Sequence, residues 1–258
     1  MLLAVDIGNT NVTVGLYDGK ELRAVQRVNS HPVRTADYYG HKTELYLKNN
    51  RLDRSNIDGI VIASVVPQLT GPYVHMARTF CNLEPLIVTC ELKLGLLVLV
   101  DNPAEVGADR LCNAVAAGAI YPHPGIVVDL GTATTFDVID KGGNYIGGAI
   151  APGLVTGASA LFRKAAKLYR IDLDFPSKVI GKNTTGHMQS GILFGHLAMI
   201  EGIVRRIAAE MNLPEIFVIA TGGFSEVIAS HSAVINATDP QLTLTGLRLI
   251  YEMNRRQK

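Results

Sequence analysis

One arrangement occurs twice in this chain and limits what it can fold into. A short apolar run ends in an aspartate, a glycine follows two positions later, and side-chain hydroxyls or amides come next. The first copy is Leu2–Val5 followed by Asp6-Ile7-Gly8-Asn9-Thr10-Asn11, and the second is Gly125–Val128 followed by Asp129-Leu130-Gly131-Thr132-Ala133-Thr134. Each copy continues into β-branched and aromatic residues (Val12–Tyr17 and Thr135–Ile139), a tight turn (Asp18-Gly19-Lys20 and Lys141-Gly142-Gly143) and a further strand. Both therefore read as strand, turn, strand, turn, strand. A single Asp-Gly-Thr turn is accounted for by local turn preferences alone. Its duplication points instead to two similar halves facing one nucleotide, each with a turn suited to phosphate. Gly8 lets the backbone approach a ligand, Asn9, Thr10 and Asn11 offer donors, and Asp6 suits a hydrated Mg²⁺.

The remaining elements follow from periodicity and punctuation. Thr35–Lys48 and Gln68–Cys81 read as helices, and Ile57–Val65 and Leu86–Val88 as strands, giving the first half the order β-β-β-α-β-α-β. Asn102-Pro103-Ala104-Glu105 has the composition of a helix start, and Gly107-Ala108-Asp109-Arg110 follows at once. In the second half Gly147–Gly153 reads as a glycine-rich bend, Leu154–Leu168 as a helix and Gly181–Thr185 as a polar turn. Ser190–Met211 is the most regular helical stripe, Glu215–Ala220 is a buried strand, and Leu242–Asn254 is a final helix. Thr221-Gly222-Gly223 forms a strand-to-helix turn that suits an adenine or ribose. The predicted boundary divides the chain into 1–118 and 119–258.

Composition narrows the partners. Of 258 residues 48% are apolar and 18% charged, enough for two cores and no case for disorder. The net charge is +1 with no basic block or aromatic-basic stripe, so no nucleic-acid or membrane partner is expected. The chain runs from Met1 straight into a strand, which points to a cytoplasmic protein. Cys81, Cys90 and Cys112 lack zinc or disulfide spacing and read as reduced, packed thiols. Metalloprotease, nucleophile-elbow and Gly-x-x-x-x-Gly-Lys-Ser/Thr patterns are missing, so a nucleotide here is held by another design.

Two Asp-Gly-Thr turns with a later Thr-Gly-Gly turn resemble the superfamily of acetate kinase, sugar kinases, heat-shock ATPases and actin. The resemblance implies an α/β fold of two similar ribonuclease H-like domains (the actin-like ATPase fold), each a mixed sheet flanked by helices. It sharpens at Gly107-Ala108-Asp109-Arg110, Asp129–Thr135 and Gly148–Gly153, which are similar to type III pantothenate kinase over nearly the whole chain. That family phosphorylates pantothenate with ATP and Mg²⁺ in the first step of coenzyme A synthesis. The resemblance implies Asp109 as the base for the pantothenate hydroxyl, with Gly107, Ala108 and Arg110 lining the substrate and Thr184 completing its site. It implies ATP contacts at Gly8, Asn9, Thr10, Asn11 and Thr132, Mg²⁺ at Asp6, and a monovalent cation, K⁺ or NH₄⁺, at Asp129. Where the family commonly carries a tyrosine against pantothenate, this chain has Val100.

Other readings stand beside this one. Asp109 and Arg110 also fit a structural ion pair at a helix start, Asp129 a turn cap, and Thr184 an N-cap or turn hydroxyl. A nucleotide-binding regulator of the transcription-accessory type, or a kinase for another small hydroxylated acid, would keep the same phosphate turns. Leu193, Phe194, Leu197 and Met199 exceed what one buried stripe needs. Together with the resemblance they point to a homodimer sharing its acceptor site, Asp109 from one subunit and Thr184 from the other.

Overall fold

Strand β1 (Leu2–Ile7) is apolar at successive positions because its sheet is covered on both faces. The computed structural model describes residues 1–165 and 168–255, and the chain divides into two units. The first holds Met1–Ile120 with the chain from Gln241 on, and the second Tyr121–Pro240.

In the first unit β1 is followed by β2 (Asn11–Asp18), β3 (Glu21–Asn29), α1 (Ala36–Asn49), β4 (Gly59–Ser64), α2 (Pro67–Phe80), β5 (Leu86–Ile87) and α3 (Ala108–Ile120). The sheet order is β3-β2-β1-β4-β5, with β1–β2 and β2–β3 antiparallel and β1–β4 and β4–β5 parallel. Alternation along β1 sends Leu3, Val5 and Ile7 toward α1 and α2, where they meet Tyr46, Leu47, Leu69 and Met76. Leu2 and Ala4 face the other way, toward Leu111, Cys112 and Val115 of α3.

The second unit repeats the plan with β6 (Gly125–Leu130), β7 (Ala133–Ile139), β8 (Tyr145–Pro152), α4 (Leu154–Lys164), α5 (Thr184–Glu210), β9 (Phe217–Thr221), α6 (Ser225–Ala229) and β10 (Ala237–Thr238). Its sheet order, β10-β9-β6-β7-β8, has the same sequence of antiparallel and parallel neighbours. The two mixed five-stranded sheets implied by the resemblance are thus present, and each has its Asp-x-Gly turn after its first strand.

Several expectations need correction. The boundary that gave 119–258 to the second half fails at its end, because α7 (Leu242–Asn254) belongs to the first unit. Its Leu244, Leu247 and Ile250 fill the face of the first sheet that α3 shares. The crossing with α3 is so close that a Cβ on Gly246 would collide with the backbone carbonyl of Cys112. The glycine-rich bend is edge strand as far as Pro152, with Gly148 opposite Asp137 and a register irregularity beside Ile139. Helix α5 starts at Thr184, before the expected Ser190, because Asn183 caps it by accepting from the Gly186 N–H at 2.8 Å. Of the expected extension of α4 to Leu168, residues 166–167 lie outside the described residues.

The surplus apolar residues of α5 are largely absorbed within the second unit. Leu193, Leu197, Ile200 and Val204 recur at helical spacing and are buried, while Phe194 and Met199 pack against the same core. Exposed large side chains lie elsewhere, at Ile150 (66%), Val179 (64%) and Ile180 (82%).

The α3–α7 crossing predicts an unusual response to a helix-favouring change. In an open helix Gly→Ala stabilises by about 1 kcal/mol. At Gly246 it is expected to destabilise by roughly 1–3 kcal/mol, since the added carbon forces the helices apart. Chemical denaturation of Gly246→Ala checks this, and a gain in stability would contradict so close a crossing.

Candidate active site

The first phosphate turn leaves β1 at Ile7 and closes on itself, the Gly8 N–H donating to the Asn11 carbonyl at 3.0 Å. A buried residue at the end of β3 pins it. The Ser30 N–H donates to the Thr10 carbonyl at 2.9 Å, and its hydroxyl donates to the Gly8 carbonyl. With the backbone so held, the side chains of Asn9, Thr10 and Asn11 stay exposed. Asp6, half-buried, sits one residue inside the strand between Thr13 of β2 and Ala63 of β4.

Asp109 lies in the first turn of α3 in the same unit. The expected helix start at Asn102 is a single 3-10 turn, Pro103–Glu105, capped by the Asn102 side chain, and α3 begins at Ala108. One Asp109 oxygen accepts the Arg110 backbone N–H at 2.8 Å. A Cβ on Gly107 would stand 2.6 Å from Asp109 Oδ1, so the carboxylate keeps its place only because residue 107 has no side chain. Burial raises the Asp109 pKa above the usual carboxylate value, opposed by the Arg110 N–H and the Arg110 charge. The fully buried Cys112 thiol is pushed well up, first by burial and then by the charges of Asp6 and Asp109. Asp6 and Asp109 thus both act on the same thiol. Ala108 is buried behind them, and Val100 is half-buried in the irregular stretch ahead of the 3-10 turn.

The second phosphate turn differs from the first by one residue. Ile7 pairs with Val12 across four intervening residues, whereas Leu130 pairs with Thr134 across three, and the Gly131 N–H donates to Ala133 at 3.0 Å. Thr134 is therefore drawn into the core, where its hydroxyl shares a 3.1 Å hydrogen bond with His196 Nε2. Burial lowers the His196 pKa, so that ring stays neutral. Thr132 remains exposed at the tip. Its carbonyl accepts from the Gly153 N–H (3.1 Å) and the Thr156 hydroxyl (2.6 Å), which fixes the N-terminal turn of α4 against it.

The third turn closes on the same carboxylate. Gly222 has φ +87°, and a Cβ there would come within 2.7 Å of Asp129 Oδ1 and 2.8 Å of the Leu130 nitrogen. Thr221 pairs with Asp129 across β9 and β6. A second carboxylate, Asp137, is fully buried on β7, with the Thr135 hydroxyl 3.4 Å from its Oδ2. Thr184, also in this unit, is exposed at the first position of α5, where Asn183 does the capping. Among the described residues no three His, Cys, Asp or Glu side chains converge as a metal cage. A cation at Asp6 or Asp129 would thus draw further ligands from water, backbone carbonyls or phosphate.

Sequence reasoning found the three glycine turns and both turn aspartates but not what steadies them. Ser30, Thr156 and Asp137 gave no signal beyond composition, apart from the period-2 spacing that sets Asp137 on the face of Thr135 and Asp129.

The sequence model of the family described as "Type III pantothenate kinase" matches residues 2–206. A protein of that name from Roseiflexus sp. (strain RS-1) is 49% identical over 99% of this chain and 100% of its own length. Its namesake from Geobacillus kaustophilus is 46% identical over the full length of both chains. Among solved structures, a Campylobacter jejuni protein described as a Baf family transcriptional activator aligns over 98% of each chain with a TM-score of 0.64 at 18% identity. Component A of (R)-2-hydroxyglutaryl-CoA dehydratase from Acidaminococcus fermentans aligns over 96% of this chain and 94% of its own with a TM-score of 0.54 at 15% identity. At such identities these two structures bear on the fold alone. The full-length relatives and the family match carry the assignment: this chain belongs to the type III pantothenate kinase family.

Proposed function

We propose that this chain transfers the γ-phosphoryl group of ATP to the hydroxyl of pantothenate, yielding 4'-phosphopantothenate and ADP, the first step of coenzyme A synthesis. The observation that carries the reading is the desolvated Asp109 carboxylate held against side-chain-free Gly107, in a chain 49% identical to a type III pantothenate kinase along its whole length. Phosphoryl transfer asks little covalent work of a protein beyond positioning and neutralising charge. Asp109 accepts the hydroxyl proton as the oxygen bonds to phosphorus and the bond to ADP breaks. A pKa raised by burial makes it a stronger acceptor than an exposed aspartate.

Gly107, Ala108, Arg110, Val100 and Thr184 form the acceptor site. Arg110 offers a guanidinium to the pantothenate carboxylate, and Val100, lacking a ring, gives weaker packing than the family's usual tyrosine. The Gly8–Asn11 turn and Thr132 bind the ATP phosphates. Mg²⁺ bound through water at Asp6 and K⁺ or NH₄⁺ at Asp129 would offset the charge gathered there. No helix among the described residues is long and apolar enough to cross a membrane. The working unit is a homodimer. Exposed Ile150, Val155, Leu161, Val179 and Ile180 of the second unit are apolar side chains that such an interface would cover.

Replacing Asp109 by Asn should lower kcat by about 10² to 10⁴ while the fold persists. The same change should raise thermal stability at neutral pH. Because the folded pKa is raised, ionising Asp109 costs stability as pH climbs from the unfolded carboxylate value through the folded one. The gain should therefore vanish in acid, where both states are protonated. Near-normal turnover of Asp109→Asn at saturating substrate would remove it as the base, and equal melting at all pH values would contradict its desolvation.

Activity should fall sharply in Na⁺-only buffer, and Asp129→Ala should abolish the response to K⁺. Equal rates of the unaltered protein in Na⁺ and K⁺ would refute the cation site.

Mixing Asp109→Asn with Thr184→Arg tests the shared acceptor site. If each site draws on both subunits, half of the dimers in an equal mixture are hybrids with one intact site. About a quarter of normal activity should then return. No recovery, once mass measurement shows that folded subunits have exchanged, would confine the site to one chain.

A further inference from the structure

The first unit contains a cavity that the transfer chemistry does not use. It has a volume of about 440 Å³, within the range of roughly 300–1,000 Å³ typical of small-molecule sites. It lies where β2 and β3 meet the N-terminal half of α1 and the side chain of Tyr73 from α2. Three permanent cations line it, Arg27, Arg34 and Lys42, with His31 beside them and no carboxylate in the lining. Among the described residues none of the three has a carboxylate within 4.0 Å, unlike Arg78, which pairs with Glu84 (2.7 Å), and Lys48, which pairs with Glu44 (2.9 Å). Arg34 and Lys42 instead both lie over the Tyr38 ring, 5.8 and 5.7 Å from its centroid.

The floor is aromatic and buried. Tyr39 and Tyr73 stack with centroids 4.3 Å apart, and Tyr39 and Tyr73 are only 4% and 3% exposed. The Tyr39 oxygen accepts the Arg34 backbone N–H, and the Tyr46 hydroxyl donates to the Val14 carbonyl. Tyr73 also lines the cavity, and its hydroxyl is not among the buried unpaired polar atoms of the described residues, so it stays open to water or a ligand. Burial also raises the Tyr73 pKa, so the group stays a protonated donor. Cations without carboxylate partners, an accessible phenol and a cavity larger than a bare phosphate ion needs describe a receptor for an anionic group carried on a planar, apolar body.

We propose that this cavity binds a small organic phosphate bearing an aromatic ring, the phosphate on Arg34, Lys42 and Arg27 and the ring against Tyr38 and Tyr39. Asn29 and His31 of its lining flank Ser30, which pins the first phosphate turn. The test must therefore separate an independent site from an extension of the nucleotide site.

Phenyl phosphate titrated calorimetrically into the full chain makes that separation, run alone and again with a saturating non-hydrolysable ATP analogue, Mg²⁺ and pantothenate. Phenol and inorganic phosphate serve as single-group controls. The expected result is binding in both conditions, tighter than either control. Arg34→Glu with Lys42→Glu, at exposed positions that leave the core intact, should weaken it by about tenfold or more. Tyr73→Phe should weaken it by a smaller factor, and Asp109→Asn should leave it unchanged. Displacement by the ATP analogue would make the cavity part of the nucleotide site and overturn the proposal. So would phenol binding equally well, unaltered binding in the double variant, or no binding at millimolar phenyl phosphate. None of these outcomes depends on which acceptor the enzyme phosphorylates.

Discussion

The charged groups of this protein are held in place by missing side chains. Asp109 occupies space that any Cβ on residue 107 would take, and Asp129 is closed over by Gly222, whose backbone conformation and lack of room both require glycine. Thr132 offers its carbonyl to an α4 N-terminus that approaches only because residue 153 is glycine. Such contacts give positional precision without flexible side chains to order, which suits a reaction accelerated mainly by placement. They also explain why the turns follow strands buried on both faces. A carboxylate at the end of such a strand is anchored on one side by a close-packed sheet and is open to ligand on the other.

The electrostatics follow from the same packing. Asp109 is desolvated by its setting and only partly compensated by the Arg110 N–H and charge, so it remains more basic than an ordinary aspartate. Cys112 behind it is too deeply buried, and too near two carboxylates, to act as a nucleophile. In the second unit the hydroxyl next in line after Thr132 and Ala133, that of Thr134, is engaged by half-buried His196, whose pKa burial lowers. The shorter second turn thus presents one exposed threonine where the first presents three exposed polar side chains.

Much of this was legible in the sequence, and the reasons are local. Consecutive apolar residues ending in Asp-x-Gly mark a strand and its turn wherever they occur, and their duplication exposed the two-unit plan. The family resemblance then singled out Asp109, which spacing alone did not separate from a structural ion pair. What stayed hidden depends on contacts distant in sequence. Nothing in Leu242–Asn254 says which sheet its apolar stripe covers, so its return to the first unit was not visible. The apolar surplus of α5 suggested an interface, but its own unit absorbs it. Ser30 lies 22 residues from the turn it pins, and a lone serine after a strand carries no sign of that role. Asn183 was a signal that could have been read, since an Asn followed three residues later by the first free helical N–H is an ordinary cap.

The central claim is that this chain moves a phosphoryl group onto pantothenate. Mass spectrometry of a reaction of the purified protein with ATP, Mg²⁺, K⁺ and pantothenate tests it most directly, with other hydroxylated acids and sugars in parallel. The account predicts stoichiometric ADP and 4'-phosphopantothenate, with pantothenate preferred over every other acceptor. ATP consumed without phosphorylated pantothenate, or a different acceptor preferred, would contradict it.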